Sequence, residues 1–370
     1  MYQRSRFIKI AICCLFLFAN ASQVISQEGK ELKGSQARLG GRAMKGQVIL
    51  PEELQKMEDA MPTKATAKPT QPRKLLVFTL CKGFVHSSIP YATKALEIMG
   101  KKTGAFEIVQ SEDMAMFKSE NLEDFDAILF NSCSELAFED SALRKGLIDF
   151  VKGGKGLAGI HGATINFHTW PEAAEMMGGI FDRHPWGKRG NWAVKIDDPE
   201  HPLTAAFNGK DFKINDEIFR IGAPFSRDKV RVLLSLDMKD ETNLNVNDIR
   251  PTDTDIPISW VRNFGKGRVF YCSLGHNHDI FWDPMVLQHY LDGIQFALGD
   301  LKVDTTPSVE KNLAEIAAFE YGKSDKPLAE LSDFVRCARN SPQVLKRFEK
   351  RLLEFLQSDA TLTGLWVLQQ

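Results

Sequence analysis

Four short apolar runs, residues 75–80, 106–110, 126–131 and 156–161, constrain the fold of this chain more than any other feature. All four read as strands; 75–80 is continuously apolar, and 156–160, too brief for a helix and bounded by glycines, reads as a buried strand. Segments 89–99 and 140–152 between them read as helices. Buried strands alternating with helices imply a parallel sheet covered on both faces, with right-handed crossovers. From residue 192 the strands shorten, to 192–196, 212–219, 230–236 and 256–263, the last turning through Phe264-Gly265-Lys266-Gly267 into a hairpin partner at 268–273. A helix over 284–298 closes the domain. The expected class is α/β, a three-layer sandwich around a mostly parallel sheet.

The flanks differ in character. Arg4, Arg6 and Lys9 precede an apolar run over 10–19 and then small residues, the layout of a secretory signal peptide over 1–26. The run is too short for a stable membrane span, so the chain is expected to be exported to the periplasm or outside the cell. Residues 27–72 are polar and rich in Lys, Thr and Pro, and read as a linker with one short helix near 51–59. The folded domain is expected over 73–302, followed at 303–370 by a small α-helical extension, either the start of a helical repeat or a cap on the domain. Beyond the signal, Cys81, Cys133, Cys272 and Cys337 form no C-x-x-C pair, which supports neither a thiol redox motif nor a cysteine zinc site. A net charge of -1 without a basic stripe gives no footprint for nucleic acid.

The candidate chemistry lies in the histidines. Gly159-Ile160-His161-Gly162-Ala163 ends the fourth apolar run in a turn of small residues, the setting of a nucleophile elbow with histidine at its apex. His86 follows the first run and His276 follows the run ending at Ser273. In an open parallel sheet these are strand carboxyl ends, where such folds form their ligand crevice. Three imidazoles on one edge suit acid–base work near neutral pH, with a bound metal as the alternative. His276 and His278, two apart, would share a ligand on an extended segment, but no HExxH is present and no metal is assigned. Glu217 is the carboxylate expected to act as base or to orient an imidazole. His184, Trp170, Trp186 and His278 are the expected substrate-binding residues, with Trp170, Phe181, Trp186 and Trp282 as a flat apolar platform for a sugar face. No Gly-x-Gly-x-x-Gly follows the first strand, and neither a Walker loop nor Gly-x-Ser-x-Gly occurs, which disfavours nucleotide cofactors and serine hydrolysis, and no cofactor is expected.

In order along the chain, GlyPheValHisSerSerIlePro, GlyIleHisGlyAlaThr, GlyGlyIlePheAspArgHisProTrp, AspGluIlePhe and GlyLysGlyArgValPheTyrCysSerLeuGlyHis resemble the ThuA-like (trehalose-utilisation) domain over about 73–299. The resemblance implies a flavodoxin-like fold akin to class I glutamine amidotransferases. It puts His161 where the amidotransferase cysteine would sit and His276 near the amidotransferase histidine, so glutamine hydrolysis is not expected. The chain departs from the family pattern at Ile165 and Thr169, where the family often carries acidic residues. What the resemblance implies is an exported protein that acts by histidine acid–base chemistry, as a hydrolase, lyase or isomerase, on a small carbohydrate such as a keto-disaccharide or glycoside. The alternative is a non-catalytic glycan-binding or scaffold module with the same fold.

Overall fold

The computed structural model describes residues 48–250 and 253–307. The expected signal peptide, and the helical extension from 308 onward with Cys337, lie outside the described residues. In chain order the strands are β1 (Lys74–Phe78), β2 (Glu107–Ser111), β3 (Ala127–Asn131), β4 (Gly156–Ile160), β5 (Ile180–Phe181), β6 (Trp192–Ile196), β7 (Phe212–Ile214), β8 (Ile221–Gly222), β9 (Arg231–Leu236), β10 (Pro257–Phe264) and β11 (Gly267–Cys272). The principal helices are α1 (Pro51–Ala60), α2 (Ile89–Thr103), α3 (Ser141–Lys152), α4 (Pro171–Met177) and α5 (Pro284–Leu298).

Nine strands form one sheet in the order β2-β1-β3-β4-β11-β10-β9-β6-β7, and β5 pairs with β8 apart from it. The pairings from β2 through to β11 are parallel. Those from β11 through to β7 are antiparallel. Only β10 and β6 therefore run against the remaining strands, and the sheet is mostly parallel in direction.

Side chains on a strand point alternately to opposite faces, and here both faces are buried. Leu75 and Val77 of β1, Ala127 and Leu129 of β3, and Phe270 and Cys272 of β11 enter one core together with α1, α2 and α5. Leu76 and Phe78, Ile128 and Phe130, and Val269 and Tyr271 enter the other, together with α3 and α4. The result is the expected three-layer α/β sandwich. Close packing of the layers needs small residues: a Cβ at Gly156 of β4 would lie 2.1 Å from the Ala297 carbonyl oxygen of α5.

Helix α5 spans the expected residues because both ends are written locally. The Asp283 side chain accepts from the backbone N–H of Met285 and Val286, Pro284 occupies the first turn, and Gly299 at φ +91 ends it. Among the described residues no helix is long and apolar enough to cross a membrane.

Two expectations need correction. Residues 48–72, read as linker, pack on the domain: Met57 of α1 and Met61 are buried in the core. Gln295 of α5 clamps the following segment, accepting from Thr66 N–H at 2.8 Å and donating to the Ala67 carbonyl at 2.6 Å. Two buried methionines outweigh a polar surrounding composition, at roughly 1.5–3 kcal/mol per fully buried side chain. The expected strand 212–219 also stops at Ile214. Beyond it the chain leaves the sheet, and the Asp216 carbonyl accepts from Trp192 Nε1 at 2.9 Å.

Candidate functional site

β1, β4 and β11 end on the same edge of the parallel half of the sheet, and each is followed by one of three histidines. His161 comes directly after β4, in the left-handed region at φ +47, a conformation uncommon for a residue other than glycine and one that concentrates at functional sites. The elbow is present, but its apex is not held out to solvent, since His161 is 0% exposed. The glycine after it is required by a close approach. A Cβ on Gly162 would stand 3.0 Å from the Ser132 carbonyl oxygen and 3.2 Å from His86 Cε1, so only glycine leaves room for His86 against the turn. His86 is 4% exposed.

The third histidine is set by a carboxylate that the sequence reading passed over. Asp216, fully buried, accepts from the backbone N–H of Gly275 at 2.6 Å and of Asn277 at 2.8 Å, with His276 N–H at 3.4 Å. Gly275 supplies the φ of +125 that this turn needs. Neighbouring residues of an extended segment face opposite ways, so while Asp216 binds the turn, Glu217 faces the histidines. That adjacency was the signal available for Asp216.

The four side chains converge. Ring centroids of His86 and His161 lie 4.6 Å apart, and each lies 5.3 Å from that of His276. Glu217 Oε1 is 3.3 Å from His276 Nδ1 and 3.7 Å from His161 Nε2, while Oε2 is 3.2 Å from His184 Nδ1. One donor atom from each of His86, His161, Glu217 and His276 falls within 4.8 Å of the others, so the set could hold a metal ion. His184 is half exposed and stands at the mouth. Beside His86 opens a recess of about 510 Å³ of mixed lining, with Thr79, Ser87 and Glu112 among its polar residues and Ile49, Val85 and Ile89 among its apolar ones.

Burial dominates the electrostatics, because desolvation disfavours charge. It lowers His86 to about 4, helped by His276, and holds His161 well below the usual imidazole range, helped by His86 and His276. Both rings are therefore neutral at pH 7. His161 Nδ1 donates to the Ser273 carbonyl at 2.7 Å, which leaves a lone pair on Nε2 facing Glu217. Burial pushes Glu217 up, but the hydrogen bond and charge of His276, with His184 and His86, outweigh it and hold the carboxyl below its ordinary value. Asp216 is pushed up to about 7 by burial, against its backbone donors.

The other expected residues lie elsewhere. His278 does not face the way of His276, because it begins a short 3-10 helix, His278–Trp282, and is not on an extended segment. It stacks on Tyr91 at 3.9 Å and meets Ser87 Oγ at 2.9 Å, and the Tyr91 hydroxyl donates to Glu53. Of the expected aromatic platform, Phe181 stacks on His184 with ring centroids 5.9 Å apart, but the two tryptophans named as substrate-binding are packed inside. Trp186 is 0% exposed, with its Nε1 donating to the Asn243 carbonyl, and Trp170 lies in the core against Phe138 and Phe167. Their apolar area is spent on packing and is not available to a ligand. Neither Ile165 nor Thr169 supplies the carboxylate that faces the histidines; Glu217 does.

The family described as ThuA, trehalose utilisation, matches residues 74–297. Among solved structures, a ThuA-like protein from Bacteroides uniformis is 22% identical at a TM-score of 0.48, covering 61% of this chain and 93% of that one. A ThuA-like protein from Parabacteroides merdae is 17% identical at a TM-score of 0.49, covering 62% and 91%. No curated protein matches the chain in sequence.

Proposed function

Since the chain belongs to the ThuA family, a family that points broadly to carbohydrate utilisation, we propose that it acts on a small carbohydrate, a disaccharide or its keto derivative, at the edge pocket between β1, β4 and β11. The observation that carries this reading is the convergence of three imidazoles and one carboxylate on the sheet edge where open α/β folds bind ligands. The recess beside His86 mixes hydroxyl, amide and carboxylate groups with apolar side chains, a combination that suits the hydroxyls and the C–H face of a sugar.

The expected sharing of proton transfer among the three histidines changes with the geometry. His161 and His86 are neutral, buried and fixed by backbone carbonyl or local packing, and serve to bind and orient. Glu217, ionised and facing them, is the base for a hydroxyl or carbon-bound proton. His184, half exposed at 3.2 Å from Glu217, is the group in exchange with solvent. The pair Glu217 and His184 thus does the proton transfer in a hydrolase, lyase or isomerase step. Export is part of the proposal, supported by the basic and then apolar pattern of residues 4–19.

The test is a screen of the purified protein against native and 3-keto disaccharides, reading binding and product. Glu217→Gln removes the base and should lower turnover about 10²–10⁴-fold with the fold intact. Turnover within twofold of the parent would take Glu217 out of the reaction, and binding without product in the parent protein would favour the glycan-binding module.

A further inference from the structure

We propose that His86, His161, His276 and Glu217 together bind one divalent transition-metal ion of the zinc, iron, cobalt, nickel and manganese class. The inference goes beyond the carbohydrate reading and does not depend on it.

Two ring nitrogens in this cluster, His86 Nδ1 and His161 Nε2, are buried with no hydrogen-bond partner among the described residues, and a third, His276 Nδ1, has only the Glu217 carboxylate at 3.3 Å. Each unpartnered buried polar atom costs about 1–3 kcal/mol, and such atoms are rare in folded proteins. Two of them beside the His276–Glu217 contact, in a set whose donor atoms lie within 4.8 Å of one another, call for a common partner. A proton shared between His161 and Glu217 would serve one pair only and would leave His86 Nδ1 unmatched. A cation serves all of them.

The spacing suits an ion. Bonds of about 2.0–2.1 Å in a tetrahedral site put ligand atoms roughly 3.3 Å from one another. Glu217 Oε1 stands 3.3 Å from His276 Nδ1 and 3.7 Å from His161 Nε2, edges that a contraction of tenths of an ångström completes, while the widest separation in the set, within 4.8 Å, closes by roughly 1–1.5 Å on binding. Ligating histidines usually donate their second N–H to a carbonyl or carboxylate, which fixes the ring. His161 does so through Nδ1 to Ser273. Asp216 holds the turn that carries His276, and His184 holds the free oxygen of Glu217. Imidazole donors select against magnesium and calcium, which prefer oxygen, and the set contains no thiolate to favour copper(I). His276 and His184 lie on the solvent side, so the ion has an entry path.

The full chain, purified without added metal and stripped with a chelator, is titrated with zinc by calorimetry and with cobalt(II) by visible absorption. One equivalent of each should bind, and the cobalt protein should show d–d bands. Glu217→Gln and His276→Ala should each weaken zinc binding about tenfold or more, and His278→Ala should leave it within about twofold, with far-UV circular dichroism reporting the fold. X-ray absorption of the zinc-loaded parent protein, which needs no variant, should show scattering from three imidazoles. Binding of well under one equivalent for every ion in the class, or affinity unchanged in folded Glu217→Gln and His276→Ala protein, overturns the proposal. No substrate enters these measurements, so a failed carbohydrate screen leaves the result standing.

Discussion

Replacing Asp216 by Ala isolates the carboxylate that shapes the turn under His276. In the parent protein it takes the Gly275 N–H at 2.6 Å and the Asn277 N–H at 2.8 Å. Alanine leaves both donors without that partner. Gly275 is buried, so its N–H carries a full desolvation cost of about 1–3 kcal/mol, whereas the half-buried Asn277 recovers part of its loss from water. The sum is roughly 2–4 kcal/mol. At about 2–4 °C per kcal/mol for a domain of this size, the melting temperature should fall by roughly 5–15 °C. Asp216→Asn keeps one acceptor oxygen and sets an amide against the other donor, so about half of that loss is expected. Thermal unfolding by circular dichroism gives all three values. Asp216→Ala melting within about 1 °C of the parent would refute the argument that these two bonds hold the turn.

Gly162→Ala introduces a methyl 3.0 Å from the Ser132 carbonyl oxygen and 3.2 Å from His86 Cε1. It should cost no more than about 1–3 kcal/mol of stability by urea unfolding, yet lower turnover or zinc affinity; a stable variant with an undisturbed site would contradict the packing described. Asp292 is pushed up to about 6 by burial, opposed by the hydroxyl of Thr66 and the amide of Gln288, from an ordinary 3.8. Between those values the native state holds a proton that the unfolded chain has released, so this group favours folding below pH 4, and that contribution is lost as pH rises to 6, by about 3 kcal/mol at most. Asp292→Asn should therefore gain stability relative to the parent from pH 4 to 7, and parallel denaturation curves across that range would exclude the raised carboxyl. Trp186→Phe should cost about 1–2 kcal/mol through the lost bond to Asn243 and leave carbohydrate binding unchanged in a titration; weakened binding in a folded variant would return Trp186 to the pocket.

The parallel half of the sheet was legible because its inner strands are buried on both faces, Leu75–Phe78 of β1, Ala127–Phe130 of β3 and all of β4 being unbroken runs without a polar side chain, whereas the edge strand β2 is largely exposed. Helix α5 was legible to the residue because Pro284 and Gly299 mark its ends. The order of the antiparallel half was not, since nothing local to β9 says that it lies between β10 and β6. The meeting of His86, His161 and His276 followed from topology, as strand carboxyl ends share an edge. Glu217 was singled out, but its neighbour Asp216 was not, because its partners are backbone groups some 60 residues away that carry no signature of their own. His278 misled because the two-residue rule holds on extended backbone and fails where a 3-10 helix begins. Tryptophans between loops gave no sign of which would be buried, and in 48–72 two methionines among polar residues were too sparse to reveal packing.

The four converging side chains come from widely separated parts of the polypeptide, and the last of them is residue 276. A growing or threading chain that has not yet delivered its final strands offers at most an incomplete set of donors, too weak to retain an ion. Capture of the ion proposed above must therefore wait for closure of the sheet. Whichever compartment hosts that closing step also decides, through its own pool of ions, what the finished pocket contains.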